Sequence, residues 1–318
     1  RQRQMCIRDS PNREGSKIQN GQISSVALMD ARSIAATAAN KGYLTSATDL
    51  ADIEYTHPKY FFDKAIYDRR VYNGVGKADP SVEIKFGPNI KDWPEMVPLT
   101  DNLLLKVASV IHDPVTTTDE LIPSGETSSY RSNPLGLAEF TLSRKDPEYV
   151  GRAKAIQAVE KVREAGECMG KAFPEVKEVM HAIKEKFEDV CGSNTGVGST
   201  IYAVKPGDGS AREQAASCQK VLGGWANIAK EYATKRYRSN LINWGMLPFV
   251  IDKDFDFDND DYVFIPGVKD AVKNKTEVIK AYVVNKNFAE IELRLGELTD
   301  DERQIITDGC LINYYKYN

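Results

Sequence analysis

The stretch Ile201-Tyr-Ala-Val-Lys205, followed by Gly207-Asp-Gly-Ser-Ala-Arg-Glu-Gln214, decides the fold of this chain. The first part is typical of a strand and residues 213–222 are typical of a helix, so the glycines form the turn between them. Such a turn delivers Ser210 and Arg212 to a helix N-terminus, where free N–H groups and the helix dipole favour an anion. A simpler interpretation is that Ser210 caps the helix and Glu213 completes a capping box.

Length and composition indicate an ordinary globular protein. The chain has 318 residues, enough for one large or two smaller domains, and its net charge of −4 does not favour nucleic acid or an anionic membrane. We find no apolar run of about 18 residues and no signal peptide. Five widely spaced cysteines without a CxxC pair argue against a disulfide framework and for a reducing compartment, so we expect a cytoplasmic location. They also form no recognisable metal-binding pattern.

The pattern along the chain predicts an α/β fold. Residues 1–10 contain Met5-Cys-Ile-Arg-Asp-Ser10, the peptide encoded by a common sequencing-library adapter, and we interpret them as a scar. Residues 43–95 lack periodicity and are interpreted as a linker. Helices are expected at 24–40, 148–169, 174–190 and from Thr299, and strands at 103–111, 199–205 and within 276–296.

Several charged or glycine-rich stretches have simple interpretations. Gly192-Ser-Asn-Thr-Gly-Val-Gly198 precedes a strand, whereas the dinucleotide fingerprint follows one, so we interpret it as an ordinary loop. The Lys and Glu residues of the two central helices are expected on a solvated face. Lys235-Arg-Tyr-Arg238 combines basic residues with an aromatic one and could contact nucleic acid, but in an acidic protein a surface helix end or an intrachain anion contact is the preferred explanation.

Several blocks in order resemble one family. They are Thr116-Thr-Thr-Asp-Glu-Leu-Ile122, Arg131-Ser-Asn133, the 207–214 motif, Leu222-Gly-Gly224 and Tyr237-Arg-Ser-Asn-Leu-Ile-Asn-Trp-Gly-Met-Leu-Pro248. Together they resemble the C-terminal swivelling domain of the aconitase family, a β/β/α domain, and in particular the aconitase-like bacterial hydratases. The resemblance places the swivel domain at 96–318 and the end of the preceding cluster-bearing domain at 11–42.

The resemblance implies a hydro-lyase that removes and re-adds water on a citrate-like di- or tricarboxylic acid. Ser210 falls on the family's catalytic serine, which abstracts a proton next to a carboxylate, and Asp119 falls on an active-site aspartate. Arg131, Arg212 and Arg13 fall on substrate-binding arginines, whose planar guanidinium groups grip carboxylates with paired hydrogen bonds. The family's cofactor is a [4Fe-4S] cluster, and the cysteines that hold it would lie upstream of this chain.

The chain also departs from the family pattern. Ala211 and Gln214 replace a second serine and a histidine of Ser-Ser-Arg-Glu-His, and Glu120 replaces the histidine of an Asp-His pair. We therefore expect a different substrate or a weaker activity. We expect a monomeric fragment that needs the upstream cluster domains for turnover. Two alternatives remain, namely an RNA-binding module without a cluster and a swivel domain retained only for structure.

Overall fold

The structure is a computed structural model that describes residues 29–49, 59–70, 74–83 and 85–317. These residues belong to two compact units that divide between Lys85 and Phe86. Among them, no helix has the length and apolar character that crossing a bilayer requires.

The described part of the first unit is built from short helices. Helix α1 (Ala31–Ala39) begins at Asp30, whose carboxylate accepts hydrogen bonds from the Arg32 and Ser33 N–H groups. It ends as predicted before Gly42, where φ is +90° and the N–H donates to Thr37 O at 2.8 Å. The predicted linker contains a 3₁₀ turn at Ala47–Asp49 and helix α2 (Lys64–Arg70).

The second unit contains nine strands among the described residues. They are β1 (Asn102–Ile111), β2 (Thr116–Thr117), β3 (Thr195–Ala203), β4 (Pro206–Asp208), β5 (Gly224–Ala229), β6 (Leu247–Val250), β7 (Tyr262–Ile265), β8 (Ile279–Val283) and β9 (Ala289–Leu293). Seven form one sheet in the order β6-β5-β3-β1-β7-β8-β9, and β2 pairs with β4. Strands β1, β3, β5 and β6 are parallel, whereas β7, β8 and β9 are antiparallel.

Helices connect these strands and cover the sheet. They are α3 (Thr118–Leu121), α4 (Pro134–Ala138), α5 (Tyr149–Glu164), α6 (Met169–Ala172), α7 (Pro174–Lys184), α8 (Arg212–Val221), α9 (Lys235–Asn243), α10 (Val268–Lys273), α11 (Asp300–Asp308) and α12 (Leu311–Tyr317). Thr299 and Glu302 form a capping box at the start of α11, which confirms the predicted helix start there. The prediction stopped one helix short, because α12 follows.

The sheet curls until its two edges meet. Val250 at the end of β6 and Arg294 just after β9 exchange two backbone hydrogen bonds of 2.7 and 2.9 Å. The apolar cluster on one face of the sheet includes Leu103 and Leu105 of β1, whereas Leu104 packs on the other face beneath α5 and α7. A strand buried on both faces is almost continuously apolar, which is the pattern predicted for 103–111. The predicted α/β class is confirmed.

Strand β3 begins earlier than predicted, so the interpretation of Gly192–Gly198 as a loop was wrong for its second half. Thr195 to Gly198 pair with β1. Gly198 is required by close packing, since a Cβ atom there would lie 2.5 Å from Gly223 O and 2.3 Å from Trp225 Cδ1. Such long-range approaches leave no local signal in the sequence.

The charged face of α5 also differs from the expectation. Glu160 is buried, and its carboxylate accepts a 2.8 Å hydrogen bond from the Val197 N–H of β3. Arg163 donates two further hydrogen bonds to it, each of 2.7 Å. The hydrogen bond to Glu160 raises the pKa of Arg163. A charge predicted to be solvated is therefore a fixed contact between helix and sheet.

Candidate functional site

Three loops meet at one edge of the sheet. Parallel strands β1, β3 and β5 end there, and the chain continues from β1 into β2 and α3, from β3 into β4 and α8, and from β5 into α9. In α/β sheets, ligands bind at the carboxyl ends of parallel strands. Asp119 lies in α3, Ser210 precedes α8, and Arg212 is the first residue of that helix.

Backbone hydrogen bonds fasten the three loops to one another. Strands β2 and β4 pair in parallel, which joins the segment carrying Asp119 to the segment carrying Ser210. The Ala233 N–H, in the loop before α9, donates to Pro206 O at 3.0 Å. The two predicted site residues therefore stand on a common frame, although they are 91 positions apart in the sequence.

The glycines of the turn are required by its geometry. Gly207 has φ +98°, and a Cβ atom there would lie 2.3 Å from the Tyr237 ring. Gly209 has φ +143°, and a Cβ atom would lie 2.0 Å from Thr118 Oγ1. Only glycine combines such backbone angles with such close approach. The Ser210 turn is thereby pressed against both α9 and α3.

Tyr237 forms the floor beneath this turn. Its hydroxyl accepts hydrogen bonds from Gln219 Nε2 of α8 at 3.0 Å and from Asn227 Nδ2 of β5 at 2.8 Å. Complete burial raises the pKa of this phenol. Helices α8 and α9 and strand β5 are thus held together directly below the loop.

The N-terminus of α8 is not capped by a side chain. Ala211 is the N-cap residue and makes no side-chain hydrogen bond, and Ser210 is exposed. Glu213 instead accepts a 3.2 Å hydrogen bond from Trp244 Nε1. The proposed Ser210–Glu213 capping box was therefore wrong. The first hydrogen bond of the helical i to i−4 pattern runs from Ala215 N to Ala211 O. The N–H groups that precede Ala215 in the first turn have no acceptor within the helix, and they are directed at the loop.

Three buried polar atoms around this helix end have no hydrogen-bond partner among the described residues. They are Thr116 Oγ1 of β2, Asp208 Oδ1 of β4 and Nε of the half-buried Arg212. Buried polar atoms in proteins are normally hydrogen-bonded. Unpartnered donors and acceptors together with an uncapped helix N-terminus are typical of a place where a polar ligand or solvent binds.

Asp119 forms an ion pair that the sequence analysis missed. Its Oδ2 accepts a hydrogen bond from Arg144 Nη1 at 2.6 Å, and the same guanidinium binds Glu126. The hydrogen bond to Glu126 is the largest cause that raises the pKa of Arg144, partly offset by desolvation, with both carboxylates adding to the rise. No local pattern links residues 119 and 144, so only the fold reveals this contact.

Glu120, which replaces the family's histidine, has a local role. Its carboxylate accepts hydrogen bonds from Thr117 N at 2.7 Å and from Thr117 Oγ1 at 2.8 Å, and the two residues form the capping box of α3. Lys145 Nζ lies 3.7 Å from Glu120 and 2.5 Å from Asp113. Glu120 therefore fixes the short helix that carries Asp119.

Arg131 is exposed at the end of a 3₁₀ turn and makes no hydrogen bond or ion pair with any residue that the structure describes. Its neighbours hold the turn in place. The Tyr130 ring lies 5.2 Å from Phe140, and Asn133 Oδ1 accepts from the Gly136 N–H at the start of α4. Helix α4 packs on α8. Arg13 lies outside the described residues.

The site is open rather than enclosed. Ser210, Asp119 and Arg131 are all exposed. A cavity of 460 Å³ lies elsewhere, beside α6 and α7, and is lined by Cys168 and Cys191 among others. These three side chains are therefore open to solvent and are not enclosed by the residues that the structure describes.

The basic stretch Lys235–Arg238 forms the first turn of α9, and its last two residues contact other parts of the protein. Tyr237 is buried, and Arg238 Nη2 donates to Leu295 O and Glu297 O, both at 2.7 Å. Lys235 and the residue after it remain exposed. Arg238 therefore makes an intrachain contact, but with backbone carbonyl groups rather than with the expected anion.

The cysteines do not form a cluster site within the described chain. Cys168 and Cys191 are exposed, whereas Cys218 and Cys310 are buried, and all four are free. Across residues 29–49, 59–70, 74–83 and 85–317, no three Cys, His, Asp or Glu side chains are grouped so that they could hold a metal ion. These residues therefore do not fit an iron–sulfur cluster, and Cys6 lies outside them.

Fold and loops together define an α/β domain with an uncapped helix N-terminus at the carboxyl edge of a curled sheet. Residues 190–254 match the family model described as the aconitase C-terminal domain, a segment that contains Ser210 and Arg212. This segment is thus similar to the C-terminal domain of the aconitase family, which supports the resemblance seen in the sequence.

Two known proteins are similar to this chain. Aconitate hydratase A of Rickettsia bellii is 30% identical over 131 residues, which is 39% of this chain and 15% of that protein. The chain therefore matches only a small part of this relative's length. A crystal structure of 3-isopropylmalate dehydratase from Methanocaldococcus jannaschii is 22% identical and has a TM-score of 0.42, covering 68% of this chain and 93% of that one.

Proposed function

We propose that this chain is the C-terminal part of an aconitase-family hydro-lyase that acts on a citrate-like di- or tricarboxylic acid. The observation that carries the proposal is the helix N-terminus of α8. Exposed Ser210 stands before an uncapped helix whose first residue, Arg212, has a buried Nε without a partner among the described residues. Negative charge is stabilised at this position by the N–H groups and by the guanidinium.

Each predicted site residue has a proposed role. Ser210 removes the proton next to a substrate carboxylate, and the surrounding N–H donors and cations stabilise its oxygen as charge develops. Arg131 and Arg212 bind substrate carboxylates, and Arg13 adds a further clamp. Asp119, held by Arg144, contributes a carboxylate whose position is fixed before substrate arrives.

A [4Fe-4S] cluster is proposed for the full-length protein as the Lewis acid that acts on the leaving hydroxyl. The described part of this chain offers no ligand set for it. The cluster would therefore be bound by upstream domains in cis, which would close over the exposed surface of Ser210, Asp119 and Arg131.

Carboxylate binding by the purified chain tests the anion site directly. We expect citrate to bind weakly by isothermal titration calorimetry or NMR, and Arg212→Ala or Arg131→Ala to weaken binding at least tenfold, since a bidentate charged contact contributes about 1.5–3 kcal/mol. Lys171→Ala is the matched control, because this exposed cation lies on α6, away from the three loops. If Lys171→Ala weakens binding as much as either arginine variant, the attraction is nonspecific and the site is not the one proposed.

An assay of turnover distinguishes the activity of this chain from that of the full-length protein. We expect no hydration of cis-aconitate by the purified 318-residue chain, and detectable turnover would contradict that part of the proposal. Wild-type activity of the Arg131→Ala, Arg212→Ala double variant in the full-length protein would instead favour a purely structural domain. RNA binding with a steep dependence on salt would favour the binding-module alternative.

A further inference from the structure

The last turn of α8 carries a buried amine that the proposed reaction does not use. Lys220 is 6% exposed, and its Nζ makes no hydrogen bond with any described residue. The Nζ atom lies 3.7 Å from the centroid of the Trp225 ring. Burying an ammonium group whose three N–H donors are unused costs free energy. The cation–π contact with Trp225 offsets part of that cost.

A cavity of 160 Å³ borders this amine. Its walls include Lys220, Trp225, Gln157 and Glu164, together with apolar side chains such as Met96 and Leu135. Glu160 also faces the cavity but is already bound to Arg163. The cavity provides room beside Nζ for a group of a few heavy atoms.

Burial also changes the chemistry of this nitrogen. Desolvation lowers the pKa of Lys220 to about 8, against the smaller opposing effects of Cys310, Glu160 and Glu164. About a tenth of the amine is then uncharged at pH 7 and about half at pH 8, and this uncharged form is the nucleophile. Glu164 has a raised pKa, caused by burial and then by the charge of Glu160, so it is a suitable proton acceptor.

We propose that Lys220 is an acylation site, whose ε-amino group takes a small acyl group such as acetyl from an acyl phosphate. The Nζ lone pair attacks the carbonyl carbon and forms the C–N bond. The bond between that carbon and the phosphate oxygen breaks, and inorganic phosphate leaves with the electron pair. The nitrogen loses one proton to Glu164 or water. The product is a neutral amide, which removes the buried charge and fits the cavity.

Acetyl phosphate is the probe for this site. The intact chain is incubated with it at about pH 7, 8 and 9, and acetylation of each lysine is measured by peptide mass spectrometry. Exposed Lys280 is the internal reference, because its hydrogen bond to Glu290 raises its pKa. We expect at least tenfold more acetylation at Lys220 than at Lys280 at pH 8, since about half of the Lys220 amine and about one in 300 of an ordinary lysine is uncharged there.

A parallel reaction in urea shows whether the fold creates this preference. Unfolding exposes both lysines equally, so Lys220 and Lys280 should then react to similar extents. Lys220→Arg should remove the signal while leaving the circular dichroism spectrum unchanged. Acetylation of Lys220 that does not exceed that of Lys280 in the folded chain would overturn the proposal. A preference that persists in urea would do the same.

Discussion

The two ends of helix α8 lie in opposite environments, one exposed to solvent and the other buried. Its N-terminal end is exposed at Ser210, lacks a side-chain cap and rests on glycines that admit no side chain. Its C-terminal end buries Lys220 against Trp225. At the N-terminal end, called the open end below, polar groups are available for a ligand. At the C-terminal end, the closed end, the buried charge of Lys220 lowers the stability of the folded protein.

Filling the space between the Ser210 turn and Thr118 should destabilise the protein strongly. Gly209→Ala should destabilise the protein by about 2–5 kcal/mol, because its backbone angle disfavours a side chain and Thr118 occupies the position of the new methyl group. Urea unfolding measures the change. Gly151→Ala is the control, since that glycine lies in α5 with nothing near a Cβ atom and should gain about 0.5–1 kcal/mol. A loss below about 1 kcal/mol for Gly209→Ala would mean that the loop is not fixed by this contact.

The closed end predicts a pH dependence of stability. The pKa of Lys220 is about 8 in the folded protein against an ordinary value of 10.5, so the unfolded chain binds more protons between these values. Stability should therefore rise with pH in this window, by up to about 3 kcal/mol, relative to a Lys220→Met variant that cannot titrate. Urea unfolding of both proteins at several pH values measures the difference. Parallel curves for the two proteins would show that Lys220 is not buried as a charged group.

The floor under the open end should contribute less. Tyr237→Phe removes the hydroxyl and leaves the amide donors of Gln219 and Asn227 buried without that partner, at a cost of about 1–3 kcal/mol. Tyr315→Phe, at an exposed tyrosine, is the matched control and should change stability by less than about 0.5 kcal/mol. Equal effects of the two variants would contradict the role of Tyr237 as a buried connection between α8 and β5.

The sequence predicted those structural elements that are determined by residues close together along the chain. The apolar run of β1, the strand–glycine–helix order around Ser210 and the Thr299 cap are all local patterns, and the structure contains each of them. Features that depend on distant segments could not be predicted. Arg144 reaches Asp119 across 25 positions, and Glu160 reaches Val197 across 37.

The capping error at Ser210 has the same origin. The spacing of Ser210 and Glu213 fits a capping box, and local rules contain nothing to exclude it. The turn instead positions Ala211 at the N-cap, and Trp244 from the end of α9 engages Glu213. A distant contact thus takes the glutamate that the local motif would use and leaves the serine exposed.

The exposed Ser210 hydroxyl at the open end should contribute little to stability. Ser210→Ala should change the free energy of unfolding by less than about 0.5 kcal/mol, since the exposed hydroxyl caps no helix, whereas loss of a capping serine costs about 1 kcal/mol. Thr299→Ala is the matched control, because Thr299 does cap α11 and should show the full cost. Chemical denaturation of both variants decides the matter. A serine that does not stabilise the helix end is available to contact a ligand. Equal losses of stability in the two variants would instead show that Ser210 has a structural role.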